Sequence, residues 1–426
     1  MKNQFRTFKT RNQFSESSER AKNWARLSSS VALVALVALF AGCGLFRREE
    51  RVETPIVPPP NIAQVEAPSQ TQTYPQLITL SPTAGAAQAG PTPVAPPATV
   101  TQTPSARGVQ VVPSSSIALG IYQPQSDTSG ANIDAYIRES GRKAAFAWLP
   151  MTWQHLDGSY WQFDPEMLEE FRTRGIMPGL TWNPSKGSTE LYTDRQVAIN
   201  QTDFSWKQII SGRYDEYITQ FAKDAAAYHY PFILRVLHEM DGTWYPWGYS
   251  VNGNTNPADY VTAWKHIVDI FRKENATNVQ FVWCPSVLNP DQIQKYGATL
   301  KQVYPGDSYV DWIALDGYSN SDNGWRSLQD EFKPSYDFIV GFSARPMILF
   351  EVGAMVNPAD PMAQANWITQ GFLTTIPNQL PKVKVVVWFN SRDGSGRDYR
   401  LQTSPNAIAA WKQVVASPLY QGSLIK

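Results

Sequence analysis

From residue 117 onward the chain repeats one pattern. A run of five to seven apolar residues is followed by a turn, then by a stretch with apolar positions at helical spacing. The runs fall at 117–122, 144–149, 176–182, 232–237, 279–284, 312–316, 346–351 and 383–389. Each is nearly continuous in apolar residues, as expected for parallel strands covered on both faces. The stretches 214–228, 258–273 and 361–372 show the periodicity of amphipathic helices. Eight strand–helix alternations over about 300 residues predict an α/β fold, a (β/α)8 barrel. A doubly wound open sheet is the competing fold. It usually carries a glycine-rich phosphate loop after an early strand, and none occurs here.

The first 116 residues read differently. Residues 1–27 hold seven Lys/Arg and two Glu, residues 31–40 read VALVALVALF, and Ala41, Gly42 and Cys43 follow. A basic start, an apolar stretch and small residues before a cut describe a secretory signal. The ending resembles a bacterial lipobox, which implies lipidation of Cys43, although Phe40 stands where Leu is commonest. An uncleaved membrane anchor is a second reading, but the apolar stretch through Phe46 is 16 residues, short for a membrane span. Simple secretion is a third. All three place the body outside the cytoplasm, tethered to a membrane in the first two. Residues 44–116 hold 13 of the 32 prolines and one aromatic after Phe46, Tyr74. Such a segment cannot bury enough apolar surface to order itself, so it is expected to be a disordered, extended tether. The expected organisation is a signal segment at 1–43, a Pro/Thr/Gln-rich linker at 44–116 and a barrel at 117–426.

Charge narrows the partners. Lys+Arg and Asp+Glu both total 37, so the net charge is zero, which argues against a nucleic-acid binder. Of 15 Trp, 14 lie beyond residue 147. About half are expected in the core, and the others point to a ligand with flat, apolar faces. The two cysteines, Cys43 and Cys284, would leave no internal disulfide once the leader is removed. Cys284 reads as a small buried hydrophobe.

In a (β/α)8 barrel, chemistry sits where strands end. Trp148, Trp182, Glu239, Trp283, Asp316, Glu351 and Trp388 all fall at or just before strand ends, and long insertions at 183–212 and 240–256 should wall a cleft. A carboxyl group at the end of a buried strand is costly unless chemistry needs it. Glu239 and Glu351 are 112 residues apart, three βα units, so their strands face each other across the mouth. Retaining glycosidases hold two carboxyls ~5–5.5 Å apart, and this pair suits that arrangement. Alternation along strand four puts Arg235, Leu237 and Glu239 on one face. An inward Arg235 would keep a neighbouring carboxylate ionised. His238 precedes Glu239, but H-E-M-D-G lacks the second His of H-E-x-x-H. His155, His229 and His266 likewise read as non-ligands, so no metal or cofactor is expected. The loop T-W-Y-P-W-G at 243–248 offers Trp244 and Trp247, at least one of which should stack on a sugar ring.

R-V-L-H-E-M-D-G-T-W-Y-P-W-G at 235–248 closely resembles the acid/base signature of glycoside hydrolase family 26, best known for endo-β-1,4-mannanases. F-E-V-G at 350–353, D-G-Y-S at 316–319 and G-L-T-W-N-P at 179–184 resemble the ends of its strands seven, six and three. The resemblance covers about residues 117–420. It implies a retaining, extracellular β-glycan hydrolase with Glu239 as acid/base and Glu351 as nucleophile. It further implies that His238 supports the acid or the −1 sugar, Tyr318 touches the nucleophile and Arg235 matches the motif's arginine. Trp182, Asn183, Trp244, Trp247 and Trp388 would contact substrate. Asp241 departs from the Asn of many members, and its charge would raise the acid's pKa or alter a subsite. The expected substrate is β-1,4-mannan, cut by a monomer. The alternatives are a β-1,3-1,4-glucanase, an enzyme trimming the cell's own exopolysaccharide, a catalytically silent glycan-binding lipoprotein, or a wall protein whose linker is the functional part.

Overall fold

The computed structural model describes residues 116–122, 124, 131–187, 200–420 and 423–425. The expected signal segment, Cys43 and all but the last residue of the linker lie outside these residues, as does much of the insertion after strand three.

Eight parallel strands close into a barrel in sequence order, with β1 (Ala118–Tyr122) paired to β8 (Val383–Phe389). Between them run β2 (Phe146–Gln154), β3 (Met177–Lys186), β4 (Phe232–Val236), β5 (Val279–Trp283), β6 (Trp312–Ser319) and β7 (Met347–Ala354). The helices are α1 (Ala131–Ser140), α2 (Pro165–Arg172), α3 (Trp206–Ile210), α4 (Asp215–Tyr228), α5 (Pro257–Lys273) and α6 (Pro290–Gln302). They continue with α7 (Leu328–Val340), α8 (Ala363–Gln370), α9 (Ile376–Gln379) and α10 (Pro405–Ala416). Four of them start alike, with Asp164, Asn256, Asn289 or Ser404 accepting a backbone N–H and proline next in line. That pairing satisfies an orphan donor and presets φ for the first turn. The apolar stretch expected as one helix at 361–372 is broken: α8 passes at Gly371 into a π-helical turn, Gly371–Thr375.

Two apolar layers result. Inside the barrel Phe146, Met177, Ile233, Trp312, Ile348, Phe350, Val385 and Val387 pack together. Glycine makes room for them: a Cβ on Gly179 would stand 2.7 Å from the Phe146 ring. Outside, the opposite faces of the strands meet the helices in the larger core. Side-chain parity therefore decides whether a residue at a strand end faces the cleft or the helix layer.

Candidate active site

Arg235 organises the mouth of the barrel. It lies on the inner face of β4 and is fully buried. Its Nη1 donates to Asp316 Oδ2 at 2.6 Å, its Nη2 to Glu351 Oε1 at 2.5 Å and its Nε to Thr181 Oγ1 at 3.0 Å. The guanidinium lies over Phe350 at 4.1 Å and Trp148 at 4.7 Å. A planar fork can serve two carboxylates at once, which a lysine cannot.

Glu351 faces inward because β7 is bulged. Ile348 and Phe350 point into the barrel and Leu349 and Val352 out of it, so strict alternation would send Glu351 to the helix layer. The register jumps there: Leu315 pairs with Leu349, but Asp316 pairs with Glu351, leaving Phe350 as the extra residue. A bulge of this kind re-aims a side chain. Glu351 consequently stands beside Asp316, where the Tyr318 hydroxyl donates to its Oε2 and Arg235 to its Oε1.

Glu239 arrives by a different device, and the expected alternation along strand four fails here. β4 ends at Val236, and Leu237 and Glu239 both adopt left-handed backbone, with φ of 49° and 47°. Leu237 consequently packs in the outer core while Glu239 reaches the cleft. Each left-handed residue costs on the order of 1 kcal/mol, and the turn is fastened at every carbonyl. Tyr260 Oη donates to Leu237 O at 3.0 Å, Trp247 Nε1 to His238 O at 2.6 Å and Gly242 N to Glu239 O at 2.9 Å. Glu239 N donates to Cys284 O at 2.7 Å.

Both glutamates line one cleft of about 1350 Å3, with His238, Asn183, Trp244, Tyr318, Tyr122, Trp148 and Phe389 among its walls. Burial, then the negative charge of Glu351, push the Glu239 carboxyl up to about 8. Asp241 adds in the same direction, and least, while the Trp244 indole, donating to Glu239 Oε2 at 2.5 Å, and the Arg235 charge oppose the rise. Asp241 itself accepts from Ser286 N at 3.0 Å and is pushed up to about 6 by burial. Burial and the Arg235 charge hold His238 well below the usual imidazole range, so it is neutral. Glu239 thus keeps its proton at neutral pH, in a site where the second glutamate, Glu351, accepts from Arg235 and a tyrosine.

Three expected sugar contacts are corrected by parity and packing. Trp388 and Trp182 are fully buried and face the helices. Trp388 packs on Trp411 and donates to Tyr399 O at 3.1 Å. Trp182 stacks on Phe221 at 4.3 Å and donates to the Tyr217 hydroxyl at 3.0 Å. Trp247, also fully buried, stacks on Tyr245 and fastens the Glu239 turn. Their neighbours in sequence face the cleft instead: Phe389 beside Trp388, and Thr181 and Asn183 flanking Trp182. Tyr122 stacks on Trp148 at 4.1 Å and on Phe389 at 4.9 Å, forming an aromatic floor beside Tyr318. Tyr122 and Phe389 were not expected from the sequence. Counting outward from the inner-facing Val385 and Val387 would have found Phe389. Of the two loop tryptophans, Trp244 alone lines the cleft, and it is 42% exposed.

Parts of the chain are similar to known proteins. Residues 179–340 match the model of Glycosyl hydrolase family 26. Endoglucanase H of Acetivibrio thermocellus is 35% identical over 225 residues, 50% of this chain and 23% of that protein. Mannan endo-1,4-beta-mannosidase A and B of Caldalkalibacillus mannanilyticus is 30% identical over 139 residues, 32% of this chain and 24% of that protein. The chain thus spans about a quarter of the length of these curated relatives. A solved structure of a Cellulomonas fimi endo-beta-1,4-mannanase double mutant aligns with a TM-score of 0.51 at 15% identity, covering 71% of each chain, a likeness of fold. The match to glycosyl hydrolase family 26 thus runs from within β3 through the Glu239 turn to the end of α7.

Proposed function

We propose that the protein is a retaining, endo-acting β-glycosidase that hydrolyses β-1,4-mannan through a covalent glycosyl-enzyme. The observation that carries this reading is the division of labour between two carboxyls in one cleft. Glu239 keeps its proton up to about 8, and Glu351 accepts from Arg235 and Tyr318. Glu239 protonates the leaving oxygen while a Glu351 oxygen attacks the anomeric carbon, and the sugar–oxygen bond breaks. Esterification removes the Glu351 charge, the second cause of the raised Glu239 pKa, so Glu239 becomes more acidic and stays ionised. It then takes a proton from the attacking water, which releases the sugar with its configuration retained. The Trp244 N–H steadies the carboxylate form of Glu239 in that second step.

Mannan is supported by the match to the mannosidase from Caldalkalibacillus mannanilyticus. A β-glucan substrate is the second reading, favoured by the longer match, at higher identity, to a protein named Endoglucanase H. The basic start, the apolar stretch before Cys43 and the proline-rich segment support a lipid-anchored enzyme held outside the cytoplasm. Labelled fatty acid in the wild type and none in Cys43→Ala would support the anchor. Galactomannan, glucomannan, barley β-glucan and xylan, with product sizes and anomeric NMR, test the chemistry. Oligosaccharides of retained configuration from the mannans are expected, and cutting of the β-glucan alone overturns the mannan assignment.

A further inference from the structure

We infer that Trp161, on the hairpin after β2, is a stacking platform for a sugar ring away from the reacting one. This adds a binding subsite to the proposed glycan cleft and rests on that reading. Most tryptophans of the barrel are fully enclosed, but Trp161 is 38% exposed, and with Trp244 it is one of two exposed large apolar side chains among the described residues that line the cleft. A tryptophan left in water on a cleft wall calls for an occupant more than one left on an open surface does.

The hairpin holds the ring in place. His155 N donates to Ser159 O at 2.8 Å, and Trp161 N donates to Trp153 O at 3.0 Å. Tyr160 bridges back to Gln154 and stacks on Tyr217 at 4.4 Å. Asp157 ties the tip by accepting from Ser159 N and Oγ at 2.9 and 2.6 Å. The His155 ring covers one face of Trp161 at 3.8 Å, 26° from parallel. Among the described residues His155 is the one ring that stacks on this pre-oriented indole, which stays 38% exposed on the cleft wall. Leu149, Pro150 and Met167 line the same cleft with apolar side chains. A pyranose presents a C–H face to such a surface, with no charge required. The ring and backbone contacts of Trp161 are with the hairpin itself, not with Arg235, Glu239 or Glu351, so it acts on binding rather than on bond breaking.

The test is the KM-against-kcat split on the polymer that the full chain cuts. Trp161→Ala should raise KM about tenfold with kcat little changed, and Trp161→Phe should recover most of the loss. Leu156→Ala, exposed on the same hairpin and outside the cleft lining, should change neither. A folded Trp161→Ala protein with an unaltered KM overturns the inference. Independently of folding, N-bromosuccinimide oxidation and peptide mapping of the Glu351→Gln protein read Trp161 directly. A bound β-glycan should protect it. If the wild type cuts none of the four glycans, the functional reading fails. The platform is then judged by protection alone: protection by any of the four supports it, and protection by none overturns it.

Discussion

Arg235 and Glu351 lie 116 residues apart in the chain, yet Arg235 Nη2 donates to Glu351 Oε1 at 2.5 Å while Nη1 donates to Asp316 at 2.6 Å. One cation serves two buried acids. Arg235→Lys keeps the charge but loses the fork, and kcat should fall by roughly 10²-fold or more, as for loss of a preorganised donor. Arg235→Ala leaves two buried acids without their shared donor and should cost about 3–5 kcal/mol of stability. Steady-state kinetics and urea denaturation measure the two effects.

In the proposed reaction the acid should limit activity on the alkaline side. There Glu239 acts in the first step only when protonated, so the rate should fall as pH rises through about 8. The Trp244 indole stabilises the ionised form. Trp244→Phe therefore raises the Glu239 pKa and moves the alkaline limb of kcat/KM upward. A pH–rate profile shows the shift, and a limb that stays in place or moves down contradicts it.

Stability should follow the same proton. The folded-state pKa of Glu239, about 8, lies above its ordinary 4.5, so folding favours the protonated group. Its contribution is fully present below pH 4.5 and is lost as pH rises through 8. Glu239→Gln does not titrate. Relative to wild type it should gain on the order of 4 kcal/mol between pH 4 and pH 8, read by denaturation at both pH values.

Parity along β8 separates packing from binding. Trp388→Ala empties a fully buried site between the strands and α10 and should cost about 3–5 kcal/mol of stability. Phe389→Ala removes part of the aromatic floor and should raise KM with a smaller loss of stability. Thermal unfolding and kinetics on the two variants distinguish them, and a reversed pattern would restore Trp388 to the cleft.

The barrel was legible because parallel strands buried on both faces read as apolar runs, and eight of them recur at regular spacing. The strand-end rule located Glu239 and Glu351, but it could not give their orientation. Glu351 turns inward at a bulge around Phe350, and Glu239 is itself left-handed, as is Leu237 two residues before it. Neither is glycine, so no residue type announces the break. The same gap displaced Trp182 and Trp388, where strand alternation rather than residue type decides the face. Trp247 carries the same apolar signal as Trp244, and only tertiary packing shows that one fastens a turn and the other meets solvent. Tyr122 escaped notice because the end of β1 carries no acid or tryptophan.

Azide rescue tests the central claim, the opposite roles of the two glutamates, most directly. Glu239→Ala and Glu351→Ala are each given an activated aryl β-glycoside with sodium azide, and the glycosyl azide is identified by NMR. Glu239→Ala should yield the β-azide, formed on the glycosyl-enzyme, and Glu351→Ala the α-azide, formed by direct displacement. The exchanged products, or full turnover of the natural polymer by either variant, would contradict the assignment.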